Sequence, residues 1–345
     1  MINISILMPD IPPRQTFISS AVVKAFESLG KVRINQSAVY EPESMIKLLA
    51  DCHIAVTGWG ACPPLDESLL KGAKNLGLVA HTGGSVGDLA TDYLYDRGIR
   101  VISGNELYAE SVAEGTLAYI LTALRRILFF DKKVQENQWF VGMDRRNKGL
   151  FDRHVGLVGF GAIPRHLIGM LKPFRVKIWV YDPFVSDDDL QSYGIERAPS
   201  LEAIFSECDI VSNHLPLKQE THHLVNADLL SKMRPGSLFV NTGRGSTVDE
   251  NALEDILLKG EISAAIDVFE MEPLPADSRL RSLDNVLLIP HMGGPTMDRH
   301  EPIGLAMAAD CKNFLEGKPL TYEITKEYAA KMSKLSMVKY KRTGL

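Results

Sequence analysis

The sequence predicts an α/β fold of two doubly wound units, each a parallel sheet flanked by helices. Three observations carry this. Short apolar runs alternate with helical patterns through the first hundred residues and again from Val155 onward. A strand, a Gly-x-Gly turn and a helix follow one another near the middle of the chain. At 345 residues the chain is long for a single core.

Composition narrows the class. Apolar residues make up 45% and charged residues 23%, ordinary values for a globular protein. A net charge of −5 gives no reason to expect nucleic acid or an anionic membrane as partner. No apolar run reaches the length of a membrane span, and the start, Met1-Ile2-Asn3-Ile4, lacks the shape of a signal peptide. Cys52, Cys62, Cys208 and Cys311 are scattered without metal-ligand spacing. The expectation is a cytoplasmic, reduced protein with no metal.

In the first unit, strands are expected at 4–8, 32–34, 54–57, 76–80 and 99–102, with helices such as 17–29 and 44–49 between them. The fourth strand runs into His81-Thr82-Gly83-Gly84-Ser85-Val86-Gly87. Loops at the carboxyl ends of parallel strands are where such sheets bind ligands. Backbone N–H groups of Gly83, Gly84 and Ser85 suit a carboxylate. A single long helix is expected over 111–138, since neither Gly nor Pro interrupts it after Gly115. Its stripe of Val112, Leu117, Ile120, Leu121, Leu124, Ile127 and Leu128 is broad enough to connect the units and to pack on a second subunit, so a homodimer is expected.

The second unit opens with Val155 to Val158, a short buried strand, followed by Gly159-Phe160-Gly161-Ala162-Ile163-Pro164. Two glycines let the chain turn tightly and approach a pyrophosphate, and the next helix aims free N–H groups at that anion. Asp182, 21 residues after Gly161, ends the following strand, where a carboxylate can bind the adenosine ribose hydroxyls. Pro164 stands where the fingerprint usually has glycine. A proline in the first helical turn lacks only an N–H that is unpaired anyway, so the donors of Ala162 and Ile163 remain. Later strands, at 209–212, 238–241, 264–269 and 286–289, each end in polar chemistry: Asn213-His214-Leu215-Pro216, Asn241-Thr242-Gly243-Arg244-Gly245, Glu270-Met271-Glu272-Pro273 and Pro290-His291-Met292-Gly293-Gly294.

Taken together, the Gly-rich loop after Ala80, Ser111-Val112-Ala113-Glu114, the Gly159-x-Gly161 turn, Asn241 to Gly245, Val248-Asp249-Glu250, Asp267 to Pro273 and Pro290 to Gly294 resemble the D-isomer-specific 2-hydroxyacid dehydrogenases. That family includes D-3-phosphoglycerate, D-lactate, D-glycerate and hydroxypyruvate dehydrogenases, and the resemblance covers nearly the whole chain. It implies a flavodoxin-like substrate domain from 1–107 and 292–345, with a Rossmann NAD-binding domain, 108–291, inserted. The cofactor it implies is NAD, and the substrate a small D-2-hydroxy acid or its 2-oxo acid.

The same resemblance assigns the site. Arg244 would bind the substrate carboxylate and polarise its carbonyl, because a guanidinium is permanently charged and forks onto two oxygens. His291 would be the acid/base, since imidazole titrates near neutral pH. Glu272 would hold that ring and favour its protonated form. Glu270 is the rival carboxylate, and its position before Glu-Pro reads as a solvated or structural acid. Asp267 is expected on the nicotinamide side, with Leu215, Pro216, Thr242, Gly243 and Gly293 lining the cofactor. His214 reads as structural, and His222 and His223 as exposed. Relatives with phosphorylated substrates carry arginines where this chain has the uncharged Thr57-Gly58-Trp59-Gly60-Ala61-Cys62-Pro63-Pro64 loop and His81. The pocket therefore suits an uncharged side chain with Trp59 as a wall, while Arg145 and Arg146 are the other source of positive charge. Two further readings share the scaffold: an NAD(H)-binding regulator of the C-terminal-binding-protein corepressor kind, and a formate dehydrogenase-like enzyme. The complete Arg244, Glu272 and His291 set speaks against the first. Glu272, where formate dehydrogenases use a neutral amide, speaks against the second.

Overall fold

In the computed structural model, which describes residues 1–58, 62–139, 144–334 and 339–340, the chain divides into two compact units. One comprises Met1–Tyr108 and Pro295–Ser336; the other comprises Ala109–Gly294 and Met337–Leu345.

The first unit is built on β1 (Asn3–Ile6), β2 (Lys31–Ile34), β3 (Ile54–Thr57), β4 (Leu78–His81) and β5 (Arg100–Ser103). They form a five-stranded parallel sheet in the order β2-β1-β3-β4-β5. Ile54, Ala55, Val56, Leu78, Val79 and Ala80 are all inaccessible, so these strands read as continuous apolar runs buried on both faces. The helix expected over 17–29 is two helices, Pro12–Phe17 and Ser20–Glu27. Ser19 separates them, because its hydroxyl accepts the Val22 N–H at 3.3 Å and starts a new helix as N-cap.

The helix expected over 111–138 is likewise two, Asn105–Leu124 and Ile127–Gln135, and the boundary between the units falls inside the first of them. Arg126 breaks it. Its backbone is left-handed, with φ 48°, and its buried guanidinium pairs with Asp144 and, at 3.3 Å, with Asp284 while lying over the Phe129 ring. Sequence pattern could not show this break, since it rests on charges distant in sequence. Among the described residues no helix is long and apolar enough to cross a membrane.

The second unit is organised by β6 (His154–Val158), β7 (Lys177–Tyr181), β8 (Glu196–Arg197), β9 (Ile210–Asn213), β10 (Leu238–Asn241), β11 (Ser263–Ile266) and β12 (Val286–Leu288). The seven-stranded parallel sheet has the order β12-β11-β10-β9-β6-β7-β8. Strand order reverses between β6 and β9, and a crevice opens at such a switch point, beyond the carboxyl ends of the strands. Val155 and Leu157 face one apolar cluster; Val158, Val211 and Phe239 face the other, and all five side chains are fully buried. Each contributes roughly 1.5–3 kcal/mol of transfer free energy for a side chain of this size. That rigid layer fixes the loops beyond it.

Candidate active site

The loops flanking the switch point touch. Gly159 has φ +93°, a conformation L side chains avoid, and a Cβ there would lie 3.3 Å from the His214 carbonyl oxygen. Gly161 is the N-cap of helix Ala162–Leu171 and offers no side chain to its first N–H groups, so they are left for an anion. Pro164 is accommodated in the first turn, buried, and the helix forms around it. The Asp182 carboxylate is held at both oxygens: Oδ2 accepts the Phe160 N–H and Oδ1 the Phe184 N–H, each at 2.8 Å. Each oxygen keeps a second lone pair for a hydroxyl. Arg197 donates to the carbonyls of Asp182 and Val185 at 3.0 and 2.6 Å and to the Asp187 carboxylate at 2.6 Å, which leaves its cation committed. A dinucleotide fits this constellation: a tight turn, an open helix end and an oriented carboxylate.

Two asparagines, Asn213 and Asn241, end adjacent strands in register. Asn213 Nδ2 donates to Asn241 Oδ1 at 3.1 Å and to Thr247 Oγ1 at 2.8 Å, while Asn241 Oδ1 also accepts the Gly243 N–H at 3.1 Å. The Arg244 carbonyl accepts from Thr247 Oγ1 at 2.7 Å and from Asn241 Nδ2 at 3.4 Å. Thr242 shares a buried hydroxyl contact of 3.0 Å with Thr116. Leu215 and Gly243 approach closely enough that a Cβ on Gly243 would lie 3.1 Å from the Leu215 oxygen. The turn bearing Arg244 is thus pinned by side chains, and its guanidinium donates to the Gly243 carbonyl at 2.6 Å.

His291 and Glu272 are brought together from different loops. His291 Nδ1 lies 2.8 Å from Glu272 Oε2, and Glu272 Oε1 accepts the Phe269 N–H at 3.2 Å. The Glu272 side chain is 12% exposed and that of His291 35%, so the pair sits at the edge of bulk water rather than in it. His291 has φ +53°, and its N–H donates to the Asp267 carbonyl at 2.9 Å. The Asp267 carboxylate accepts the N–H groups of Met292 and Gly293 at 2.7 and 2.9 Å, and burial pushes its carboxyl up. Glu270 faces elsewhere, toward His223 and Glu250.

In the first unit, the N–H groups of Gly83, Gly84 and Ser85 have no acceptor among the described residues, while their loop is held by other atoms. Ser103 Oγ donates to the Gly83 carbonyl at 3.0 Å, and Ser85 Oγ donates to the Ser333 carbonyl at 2.8 Å. The Ser85 hydroxyl is thereby engaged, and its main chain is what it presents. His81 is buried against Thr57 Oγ1 at 2.9 Å, and burial depresses its pKa to about 4, so the ring is neutral near pH 7. Arg146 is paired with Asp144 and Asp284, at 3.5 and 3.3 Å, and Arg145 is exposed. Trp59 lies outside the described residues.

Comparison with known proteins decides the family. Residues 117–293 match the model of the D-isomer specific 2-hydroxyacid dehydrogenase NAD-binding domain. A hydroxypyruvate reductase of Thermotoga maritima is 31% identical over 271 residues, 77% of this chain and 86% of its own. The chain belongs to the D-isomer-specific 2-hydroxyacid dehydrogenases. A D-3-phosphoglycerate dehydrogenase of Methanocaldococcus jannaschii is 28% identical over 300 residues, 86% of this chain but 56% of that longer relative. The solved NADPH-dependent glyoxylate/hydroxypyruvate reductase of Sinorhizobium meliloti superposes with a TM-score of 0.77 at 23% identity, over 97% of this chain and 99% of its own, and shares the fold.

This dehydrogenase is therefore an NAD-dependent oxidoreductase of hydroxy acids. Some of the polar groups that build its site were invisible as such in the sequence. Asn213, Asn241, Thr247 and Thr116 carry no motif of their own for holding the Arg244 turn. The available signal was positional: two asparagines closing apolar strands, each at the point where a sheet delivers its loops. His214 is buried beside Ser212 Oγ at 2.9 Å, its pKa lowered to about 3 by burial, and serves as a neutral structural ring. His223, expected to be exposed, is half-buried and stacked on His222.

Proposed function

We propose that the enzyme reduces a small 2-oxo acid to the D-2-hydroxy acid, and runs the reverse oxidation, with Arg244, His291 and Glu272 as the working set. The unit of Met1–Tyr108 and Pro295–Ser336 would serve as substrate domain and that of Ala109–Gly294 as NAD domain. The end of the chain, expected in the substrate domain, groups with the second unit, where Lys339–Tyr340 pairs with Met271–Glu272. The observation that carries the reading is the His291–Glu272 contact of 2.8 Å, with the Glu272 loop packed at Phe269–Glu270 against the turn that bears Arg244. With Nδ1 on Glu272, Nε2 of His291 is the nitrogen that gives a proton to the substrate oxygen as the carbonyl becomes an alcohol. The Gly159–Gly161 turn and Asp182 would hold NADH, which when bound would supply the hydride for the carbonyl carbon. Arg244 holds the carboxylate and draws charge toward the carbonyl oxygen; in the first unit, the N–H groups of Gly83, Gly84 and Ser85 are the ones suited to a carboxylate. Asp267, fixed by Met292 and Gly293, would stand on the nicotinamide side, and Leu215, Pro216, Thr242, Gly243 and Gly293 would line the cofactor. Gly159, Gly161, Ala162 and Ile163 would hold its pyrophosphate. A neutral His81 favours a substrate with an uncharged side chain over a phosphorylated one. Steady-state assays of a panel of 2-oxo acids with NADH test the reading; turnover of none would sink it.

The cofactor is NAD rather than NADP. Asp182 repels a 2′-phosphate, and the nearby Arg197 is bound to three acceptors. NADPH should therefore be used less efficiently than NADH, and equal efficiency in steady-state kinetics would overturn this role of Asp182.

The protein is a homodimer of the cytoplasm. Its four cysteines are free thiols, three of them buried, which suits a reducing compartment. Ile127, Leu128 and Val134 are 50%, 58% and 53% exposed on helix Ile127–Gln135, and Ile127 and Val134, seven residues apart, share a face. Light scattering at micromolar concentration should show a dimer that Leu128→Glu weakens. A monomeric wild type would defeat the assignment.

A further inference from the structure

Behind the reacting groups, the Arg244 turn and the Glu272 loop are fastened to each other by residues with no part in the chemistry. Gly245 lies so close to the second loop that a Cβ on it would sit 1.9 Å from the Phe269 carbonyl carbon. Beside this contact two carboxylates cap one another's main chain. The Glu270 N–H donates to Glu250 Oε2 at 3.0 Å, and the Glu250 N–H donates to Glu270 Oε1 at 3.4 Å. His223 joins from a third segment: its N–H donates to the Ser246 carbonyl at 2.9 Å, next to the Arg244 turn, and its ring stands against the Glu270 carboxylate without a hydrogen bond from Nε2 among the described residues. His223 holds φ +51°, a conformation a histidine keeps only where its surroundings impose it.

We propose that Glu250, Glu270 and His223 form a positioning clamp that sets the Arg244 turn against the Glu272 loop. The proposal rests on Arg244, Glu272 and His291 being the reacting set. In this clamp the two glutamates act as acceptors of backbone N–H groups, and neither serves as the acid/base partner. Burial pushes the Glu250 carboxyl up, against the lowering effect of the Glu270 N–H that it accepts. What each glutamate supplies is an oxygen that accepts an N–H, and the carbonyl oxygen of a neutral amide supplies the same. Alanine accepts nothing and strands a peptide N–H beside Gly245, where the loops have no slack. A displacement of about 1 Å at a reacting group can cost on the order of 10²-fold.

The test compares alanine and glutamine at both positions, with NADH affinity followed by fluorescence titration. Glu250→Ala and Glu270→Ala should each lower kcat/KM for the 2-oxo acid about ten- to a hundredfold. Most of that loss should fall on KM, because Arg244 grips the substrate. Glu250→Gln and Glu270→Gln should restore most of the loss. NADH affinity and the pH profile of reduction should stay in place throughout. The clamp is refuted by glutamine variants as damaged as the alanine ones, by alanine variants with wild-type kinetics, or by a parallel loss of NADH binding and thermal stability. An active His291→Ala would refute the underlying assignment instead; an inactive one beside a wild-type Glu270→Ala would refute the clamp alone.

Discussion

His291→Ala should slow reduction of a 2-oxo acid by about 10²–10⁴-fold, the usual worth of a positioned proton donor, while NADH binding stays nearly unchanged. The two effects separate because the ring is held at Nδ1 by Glu272, at 2.8 Å, whereas the Gly159–Gly161 turn is built from other residues. Glu272→Gln refines the test. An ionised carboxylate favours the imidazolium, which is the form that donates, so its loss makes that form less stable. The pH profile for reduction should then move toward lower pH. Glu270→Gln should leave the profile where it is, since Glu270 contacts His223 and the Glu250 main chain. A stationary profile in Glu272→Gln with a displaced one in Glu270→Gln would show that the carboxylates have been exchanged.

The second large effect belongs to Arg244. Lysine keeps the charge but presents a single ammonium on a flexible stem, whereas the guanidinium offers two parallel donors to a carboxylate or a carboxylate–carbonyl pair. One charge-assisted hydrogen bond is worth roughly 1.5–3 kcal/mol, so Arg244→Lys should lower kcat/KM about ten- to a hundredfold, and Arg244→Ala further still. Both kcat and KM should suffer, because binding and polarisation use the same group. The fold should not. The turn is held through the Arg244 carbonyl by Thr247 and Asn241, and those bonds survive any side chain at 244. Wild-type kinetics in Arg244→Lys would remove the fork from the mechanism.

The two-unit α/β architecture and the positions of most of the sheets' apolar strands were legible because buried parallel strands require runs such as 54–57 and 238–241, and local composition is all that such a run needs. The Gly159-Phe160-Gly161 turn and Asp182 were legible for a similar reason: a tight turn, a helix end and a strand end are properties of neighbouring residues. Local pattern failed where a distant partner decides. The helix expected over 111–138 breaks at Arg126, whose pairing with Asp284 places a charge from 158 residues away under a left-handed residue. The 17–29 helix splits at Ser19, a cap visible as a residue type but not as a choice between ending and continuing a helix.

At the site the division is the same. The sequence alone determined which chemical groups this dehydrogenase carries and that strand ends present them: an arginine between glycines, a histidine before Met-Gly-Gly, an acid before proline. The family resemblance named Glu272 over Glu270 as the histidine's partner; only the tertiary structure gave the physical reason. Glu270 and Glu272 are two residues apart, yet one turns to His223 and Glu250 and the other to His291, because the Phe269 N–H fixes the second carboxylate and the Glu250 N–H the first. Hydrogen-bond partners separated by 19 or 20 residues are set by how the sheet stacks its loops. No stretch of sequence contains that information by itself.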